Sequence, residues 1–426
     1  MRTLLTITLT LIFSFQLSAQ WVLLSSNTDS HIRSVHFTDK YNGWIAGFNN
    51  YINKTSDGGE TWENTGFHGS SSNRWYSIFA INSNEIYACG STYNYDRWQT
   101  NYAFTVNGGN SWESQSSWGS AVGSTKQVFF LNENFGWKVG YSSPYGRLAK
   151  TMDGIDGWFS FYQSDHSLFS VYFIDQNTGW IACDEGFVLT SNDGGESWNE
   201  ISTGITQTLR SIFFINSSIG WAVGHSDDVG VIIKTIDGGE TWYQVNHPSL
   251  MSMYCIQFVN DSIGWACGSK VENSEERGVI LYTNDGGENW TEQYVCEQLS
   301  ALYSLFFIDE FTGWAVGYDG IIVKTTNAGG TSFEGVNEES SFICSLNIYP
   351  NPFATSATIE YELKQAEKVT LTVYNQMGKQ VFHSQETQPF GKQQFKWDAN
   401  GLPEGVYYYI LHTDAKAAIG KIVKVR

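Results

Sequence analysis

SDGGETW at 56–62 returns as NDGGESW at 192–198, IDGGETW at 236–242 and NDGGENW at 284–290. Looser copies read VNGGNSW at 106–112, MDGIDGW at 152–158 and TNAGGTSF at 326–333. The motif's acid or amide position is Asp57, Asn107, Asp153, Asp193, Asp237, Asp285 and Asn327, at spacings of 50, 46, 40, 44, 48 and 42 residues. Recurrence on this scale marks one supersecondary unit repeated, each copy burying its face on the next. The box is a turn by its chemistry. An Asp or Asn oxygen accepts bonds from nearby backbone N–H groups, and the glycines take positive φ. The Trp then brings a large apolar ring to the unit. These seven positions are therefore read as structural, since Asn serves in two of them.

Working outward, each copy holds four short strands. In the fifth they are Ser211–Phe214, Gly220–Gly224, Val231–Thr235 and Trp242–Val245. A GW-x-x-G element recurs at Trp44, Trp137, Trp180, Trp221, Trp265 and Trp314, with Tyr87 in the second copy. Seven four-stranded units arranged radially predict a β-propeller. A ring with a free edge would invite aggregation. Residues 21–25, which look like a fourth strand with its Trp, are expected to complete the seventh unit.

Composition agrees with an all-β chain: 426 residues, 16% aromatic, 42 Gly and 6 Pro. Residues 1–19 have the form of an export signal, with Arg2, an apolar stretch over 3–15 and a cleavage site of the small-residue kind at Leu17-Ser18-Ala19. That stretch is shorter than the about 20 residues that span a bilayer, so no membrane-spanning segment is expected. Residues 20–336 carry 14 basic against 34 acidic residues. This balance argues against nucleic acid, whose backbone needs a basic face. The six Cys and eight His show no metal-ligand spacing. Neither a metal nor a cofactor is expected. A Cys255–Cys267 disulfide stays open, against plain burial of both thiols.

The propeller segment, about 20–336, resembles the BNR/Asp-box propellers, in particular the photosystem II stability/assembly factor-like group. The resemblance rests on SVHF at 34–37, GWAVG at 220–224 and 313–317, and KTIDGGETW at 234–242. It implies fold more than role, because one fold hosts many functions.

In a four-stranded blade the boxes share one face with the first-to-second strand turns. The opposite face carries the longer loops, 66–76, 90–101, 141–146, 225–230 and 269–278, where binding usually resides. Just before the first strands come Arg33, Tyr76, Lys126, Phe169, Arg210, Tyr254 and Tyr303, which seven blades would bring into a ring around the channel mouth. Arg74, Arg97, Arg147 and Arg277 lie in or beside loops of the same face. Mixed cations and aromatics suit a protein or glycan partner.

Asp-box propellers include sialidases and xyloglucan-cleaving glycosidases, so a secreted glycoside hydrolase is the alternative reading. It would need two carboxyls about 5–9.5 Å apart across a scissile bond. The acids available on this face are Asp96, Asp165, Asp184, Glu185, Asp227, Asp228, Glu272, Glu275 and Glu276.

A polar stretch over 337–342 separates a different β pattern at 343–426, with alternating runs expected to form a small Ig-like β-sandwich. YPNP at 349–352, VYNQMGKQV at 373–381, GLPEGVYYYIL at 401–411 and GKIVKV at 420–425 resemble the type A sorting domain of the type IX secretion system. That resemblance implies the secretion machinery as a partner and a final location at the cell surface or beyond. The sequence thus points to an exported, non-catalytic binding propeller whose ligand it does not name.

Overall fold

A computed structural model describes residues 21–67, 69–94, 97–115, 123–154, 157–329, 343–363, 366–375, 380–412 and 417–425. The chain divides into two compact units, Met1–Ser332 and Phe333–Arg426. Helix among the described residues is confined to two 3-10 turns, Asp184–Gly186 and Tyr318–Gly320.

The first unit contains seven four-stranded antiparallel sheets. Blade one runs Ile32–Phe37, Gly43–Gly47, Ile52–Thr55 and Glu63–Asn64. Blade two follows with Asn73–Ala80, Ile86–Asn94, Arg97–Thr105 and Glu113–Gln115. Blade three is Gly123–Phe130, Gly136–Ser142, Tyr145–Thr151 and Phe159–Ser164, and blade four Leu168–Phe173, Gly179–Cys183, Phe187–Ser191 and Asn199–Ser202. Blade five comprises Thr208–Phe214, Gly220–Ser226, Val229–Thr235 and Tyr243–Gln244, blade six Ser252–Phe258, Gly264–Glu272, Glu275–Thr283 and Thr291–Leu299. Blade seven has Leu302–Phe307, Gly313–Gly317 and Ile322–Thr325, and borrows Val22–Leu24 as its outer strand. Val22 pairs with Lys324, Leu23 with Val323 and Leu24 with Ile322. Residues 21–25 thus close the ring where the sequence placed them. The first strands of successive blades touch one another all the way round, seventh to first included.

The repeated motif explains how blades adhere. In blades three to seven the GW tryptophan stacks on a first-strand Phe of the next blade around the ring. Trp180 lies 3.5 Å from Phe214, Trp221 3.6 Å from Phe258, Trp265 3.7 Å from Phe307 and Trp314 3.5 Å from Phe37, centroid to centroid. The box Trp of the second blade then closes edge-on over the same Phe, as Trp242 does on Phe214 at 5.9 Å and 89°. The stacked indole also donates to a box carbonyl, Trp180 to Gly238 at 2.7 Å and Trp314 to Gly58 at 2.9 Å. The glycine before the Trp is required by this packing: a Cβ on Gly220 would lie 2.5 Å from the Phe214 ring. These Trp are buried, Trp137, Trp221, Trp265 and Trp314 wholly so. Burying large aromatic surfaces is the main stabilising term of such an interface.

A second seam runs closer to the axis. Ser34, Ser77, Ser170, Ser211 and Ser304 each accept a bond from the next blade's first strand, at Ile78, Val128, Ile212, Ile256 and Val35. Gln127 does the same for Val171 at 2.6 Å. At the sixth position Cys255 instead donates to the Leu305 carbonyl. Each seam bond satisfies a buried backbone group that the sheet leaves open.

Cys255 and Cys267 face each other in register, yet both are free thiols. Cys255 serves the seam and Cys267 is fully buried in the blade core, so plain burial accounts for the pair.

The second unit packs a three-stranded sheet, in the order Ile343–Tyr349, Ser356–Leu363, Gly391–Asp398, on a four-stranded one. The latter is ordered Gln380–Gln388, Glu367–Tyr374, Gly405–His412, Ala417–Lys424. Alternate residues of both sheets, including Ile359, Tyr361, Leu371, Val373, Trp397 and Tyr409, form one core. This is the expected small sandwich, inner faces apolar and outer faces polar.

Candidate functional site

Each first strand of the propeller carries one extra residue against its second strand, a β-bulge. The residues skipped by the register are Arg33, Tyr76, Lys126, Phe169, Arg210, Tyr254 and Tyr303. A bulge re-aims a side chain that regular pleating would bury in the sheet. Seven bulges at one height turn seven half-buried side chains toward the axis.

Their mutual contacts show the convergence. The Arg33 guanidinium, from blade one, lies 3.7 Å from the Tyr303 ring centroid and 5.8 Å from that of Tyr254, two blades away. It also lies 5.9 Å from Tyr76. Lys126 sits 4.1 Å from Tyr76, Arg210 4.4 Å from Phe169, and Tyr254 meets Tyr303 edge-on at 5.1 Å. Burial above all, then Arg33 and Arg210, pulls the Lys126 amine down to about 7. Burial likewise lowers Arg210, with Tyr254 opposing and Arg33 reinforcing. None of the ion pairs among the described residues involves Arg33, Arg74, Lys126 or Arg210. In a strongly acidic domain, a group of cations with no carboxylate in ion-pair contact, Asp184 acting on Arg210 only from farther off, favours an anionic visitor.

Of the loop arginines, one joins the ring's surroundings. Arg74 is held between Phe48, at 4.9 Å, and Trp98, at 4.2 Å, and Phe48 in turn touches Arg33 at 5.7 Å. Arg277 is not available in the same way: Glu275 pairs with it at 2.8 Å and Glu272 lies at 3.8 Å. No contact among the described residues ties Arg97 or Arg147 to the ring. Arg97 is exposed at the start of its strand, and Arg147 lies half-buried opposite Gly140.

Beneath the ring lies a tier that the residue-by-residue reading overlooked. His36, Phe79, Phe129, Tyr172, Phe213, Gln257 and Phe306 follow the bulged residues by three positions, and that constant offset was its signal. His36 lies 4.5 Å from both Phe79 and Phe306, Phe129 5.2 Å from Tyr172, and Tyr172 4.9 Å from Phe213. Burial drives the His36 imidazole down to about 3, so it is neutral. The mouth is thus walled by cations and aromatics over an aromatic floor.

The loop carboxylates are arranged differently. Asp165, Glu185, Asp227, Asp228, Glu272, Glu275 and Glu276 are exposed. Asp184 is half-buried but committed locally, accepting from the Ser167 amide at 3.0 Å and lying 3.4 Å from His166. Asp96 lies outside the described residues. No group of three or more His, Cys, Asp or Glu among the described residues could hold a metal ion.

The box acids are spent within their own turns. Asp237 accepts from Thr235 Oγ1 at 2.7 Å, the Thr241 amide at 2.9 Å and Thr241 Oγ1 at 2.5 Å. These bonds, led by the Thr241 hydroxyl, hold its carboxyl at about 2. Asp57, Asp193 and Asp285 repeat the arrangement. Asn107 reproduces it with an amide that donates to Ser111. Asp153 and Asn327 keep the bond from the Thr two residues earlier.

Residues 14–114 and 158–251 match the family described as photosynthesis system II assembly factor YCF48. Residues 347–425 match the secretion system C-terminal sorting domain. Among solved structures, YCF48 bound to a D1 peptide is similar at 20% identity and a TM-score of 0.55, over 72% of this chain and 97% of that one. YCF48 from Cyanidioschyzon merolae gives 19% and 0.56, over 72% and 98%. The GH74 xyloglucanase from Xanthomonas campestris gives 10% and 0.58, over 80% and 59%. At such identities the likeness establishes the fold alone. A search of curated proteins finds no match. The chain is a seven-bladed propeller similar to the photosynthesis system II assembly factor family, joined to a C-terminal sorting domain that directs type IX secretion to the cell surface or the extracellular space.

Proposed function

We propose that the propeller is a non-catalytic binding module that recognises a protein or glycan at its loop-rich face, with the axial ring as the anchor. The observation that carries this reading is the convergence of Arg33, Lys126 and Arg210 among Tyr76, Phe169, Tyr254 and Tyr303. Cations stacked on aromatic rings are oriented in advance, so a bound anionic group meets them with little ordering cost. A similar propeller bound to a peptide is consistent with a protein ligand. The exposed, locally committed carboxylates described above lend the hydrolase reading little support, since a general acid needs shielding to raise its pKa.

The test is a peptide and glycan array probed with the propeller and with an Arg33→Glu/Arg210→Glu variant. Hits on acidic peptides or glycans should weaken at least tenfold in the variant and survive in Asp237→Asn. Hits equal in both proteins, or turnover of a glycan substrate, would sink the proposal.

A further inference from the structure

Where the chain closes the ring, the connection 25–31 meets the 3-10 turn Tyr318–Gly320 and leaves a cleft of about 450 Å³. That volume lies in the range of small-ligand sites. Its walls have three kinds of chemistry. Leu23, 51% exposed, supplies apolar surface, while Leu24 and Ile321 border the cleft with side chains packed into the blade cores. Tyr318 supplies an aromatic ring, stacked on His31 at 4.1 Å and still 39% exposed. Asp29 and Asp319 supply negative charge.

Neither carboxylate has a Lys or Arg partner among the described residues. Asp319 instead lies 3.5 Å from His31 Nδ1. His31 does not neutralise it near pH 7: burial lowers its pKa first, Asp319 opposes, and Arg33 and Arg74 lower it further. The turn is fixed in place. Gly320, at φ +73°, lies so close to the Thr28 carbonyl that a Cβ would collide with it, and the Asp319 amide donates to His31 Nδ1 at 3.2 Å. Hence the aromatic ring and the carboxylate are held ready rather than assembled on binding.

An exposed leucine, an aromatic ring and two carboxylates without a Lys or Arg partner match a cation on an aliphatic stem. We propose that this cleft binds a lysine- or arginine-like side chain presented by a protein partner. The stem lies on Leu23, and the charged head lies by Tyr318 and the carboxylates. The site has the opposite sign to the axial ring and its own residues, so it goes beyond the binding reading above.

The experiment titrates the secreted protein with Nα-acetyl-lysine amide, followed by NMR, using Nα-acetyl-norleucine amide as the uncharged control. The expected result is weak, salt-sensitive binding of the lysine amide, with Kd in the millimolar range. Binding should drop at least tenfold in Asp29→Asn/Asp319→Asn and weaken in Tyr318→Ala, while Arg210→Glu leaves it intact. Both Asn variants preserve shape, and near-UV circular dichroism verifies the fold. Equal binding of the norleucine amide, no binding of either, or binding unchanged in the double Asn variant would overturn the proposal.

Discussion

Trp21 stands edge-on to Phe307, ring centroids 5.7 Å apart at 86°. Trp62, Trp198, Trp242 and Trp290 hold the same relation to Phe37, Phe173, Phe214 and Phe258. The N-terminal strand therefore brings blade seven both an outer strand and the tryptophan its own box lacks, from some 290 residues upstream in sequence. Its indole donates to Gln293 of blade six at 3.2 Å, which fastens the closure to a second blade.

Trp21→Ala should cost about 3–5 kcal/mol, the usual range for deleting a buried aromatic. Trp21→Phe should recover part of it. Chemical denaturation checks the order. Removing residues 20–26 should lower Tm further than Trp21→Ala, since it also strips the Ile322–Thr325 edge of its partner.

The axial seam predicts a cost for a single hydroxyl. Ser170 is buried and accepts from the Ile212 amide at 3.2 Å. Ser170→Ala leaves that amide without a partner and should cost about 1–3 kcal/mol. Equilibrium unfolding in urea measures it, and a loss below about 0.5 kcal/mol would show that the seam relaxes around the gap.

Lys138 gives a pH dependence. It occupies the place of Ile45, Ala88, Ile181, Ala222, Ala266 and Ala315 in other blades, is 2% exposed, and lies 4.4 Å from both the Tyr102 and Trp158 rings. Burial pulls its amine down to about 7, with Cys89 opposing. An unfolded lysine titrates near about 10.4. Between these values the unfolded chain holds a proton that the folded one lacks, so stability rises with pH through that window. At pH 7 and below the cost of the buried amine is fully present. Lys138→Met should therefore stabilise by on the order of 1–3 kcal/mol at pH 6.5. The gain should shrink toward pH 10, as comparison of the two proteins' urea midpoints will show.

The box carboxylates predict a second pH dependence, of the same sign, in acid. The Asp237 carboxyl, held at about 2 by Thr241 and Thr235, contributes stability that is present above the unfolded value near about 3.9. That contribution disappears as pH falls through 2. Asp237→Asn should leave Tm at pH 7 nearly unchanged, as Asn107 suggests, and flatten its decline between pH 4 and 2. An equally steep decline in the variant would remove the carboxylate from the account.

Much of the scaffold was legible because its causes are local and repeated. The box turn needs only an acid or amide, two glycines and a hydroxyl within six residues, and the GW glycine needs only a Phe ring in the way. Repetition then averaged out the degenerate copies, and the Trp of residues 21–25 betrayed the closing strand. The axial ring was partly legible as a column of aligned positions. What distinguishes Arg33 and Arg210 from Arg97 and Arg147 is a bulge in the register, and a bulge leaves no residue signature in these strands. Arg277 differs again, because Glu272 and Glu275 fold back on it across a hairpin. The seam serines and the aromatic floor lay one and three residues beyond the aligned column. Ser and Phe at such places are too common to mark a role.

Sequence alone determined the number of wedges, their turns and the address borne by the C-terminal unit, since each depends on residues near one another along the chain. Tertiary structure decided which charges stay together unpaired at the axis and which are cancelled. It also decided that residues 25–31 and 318–320 enclose a cleft, because these follow from distances between segments hundreds of residues apart.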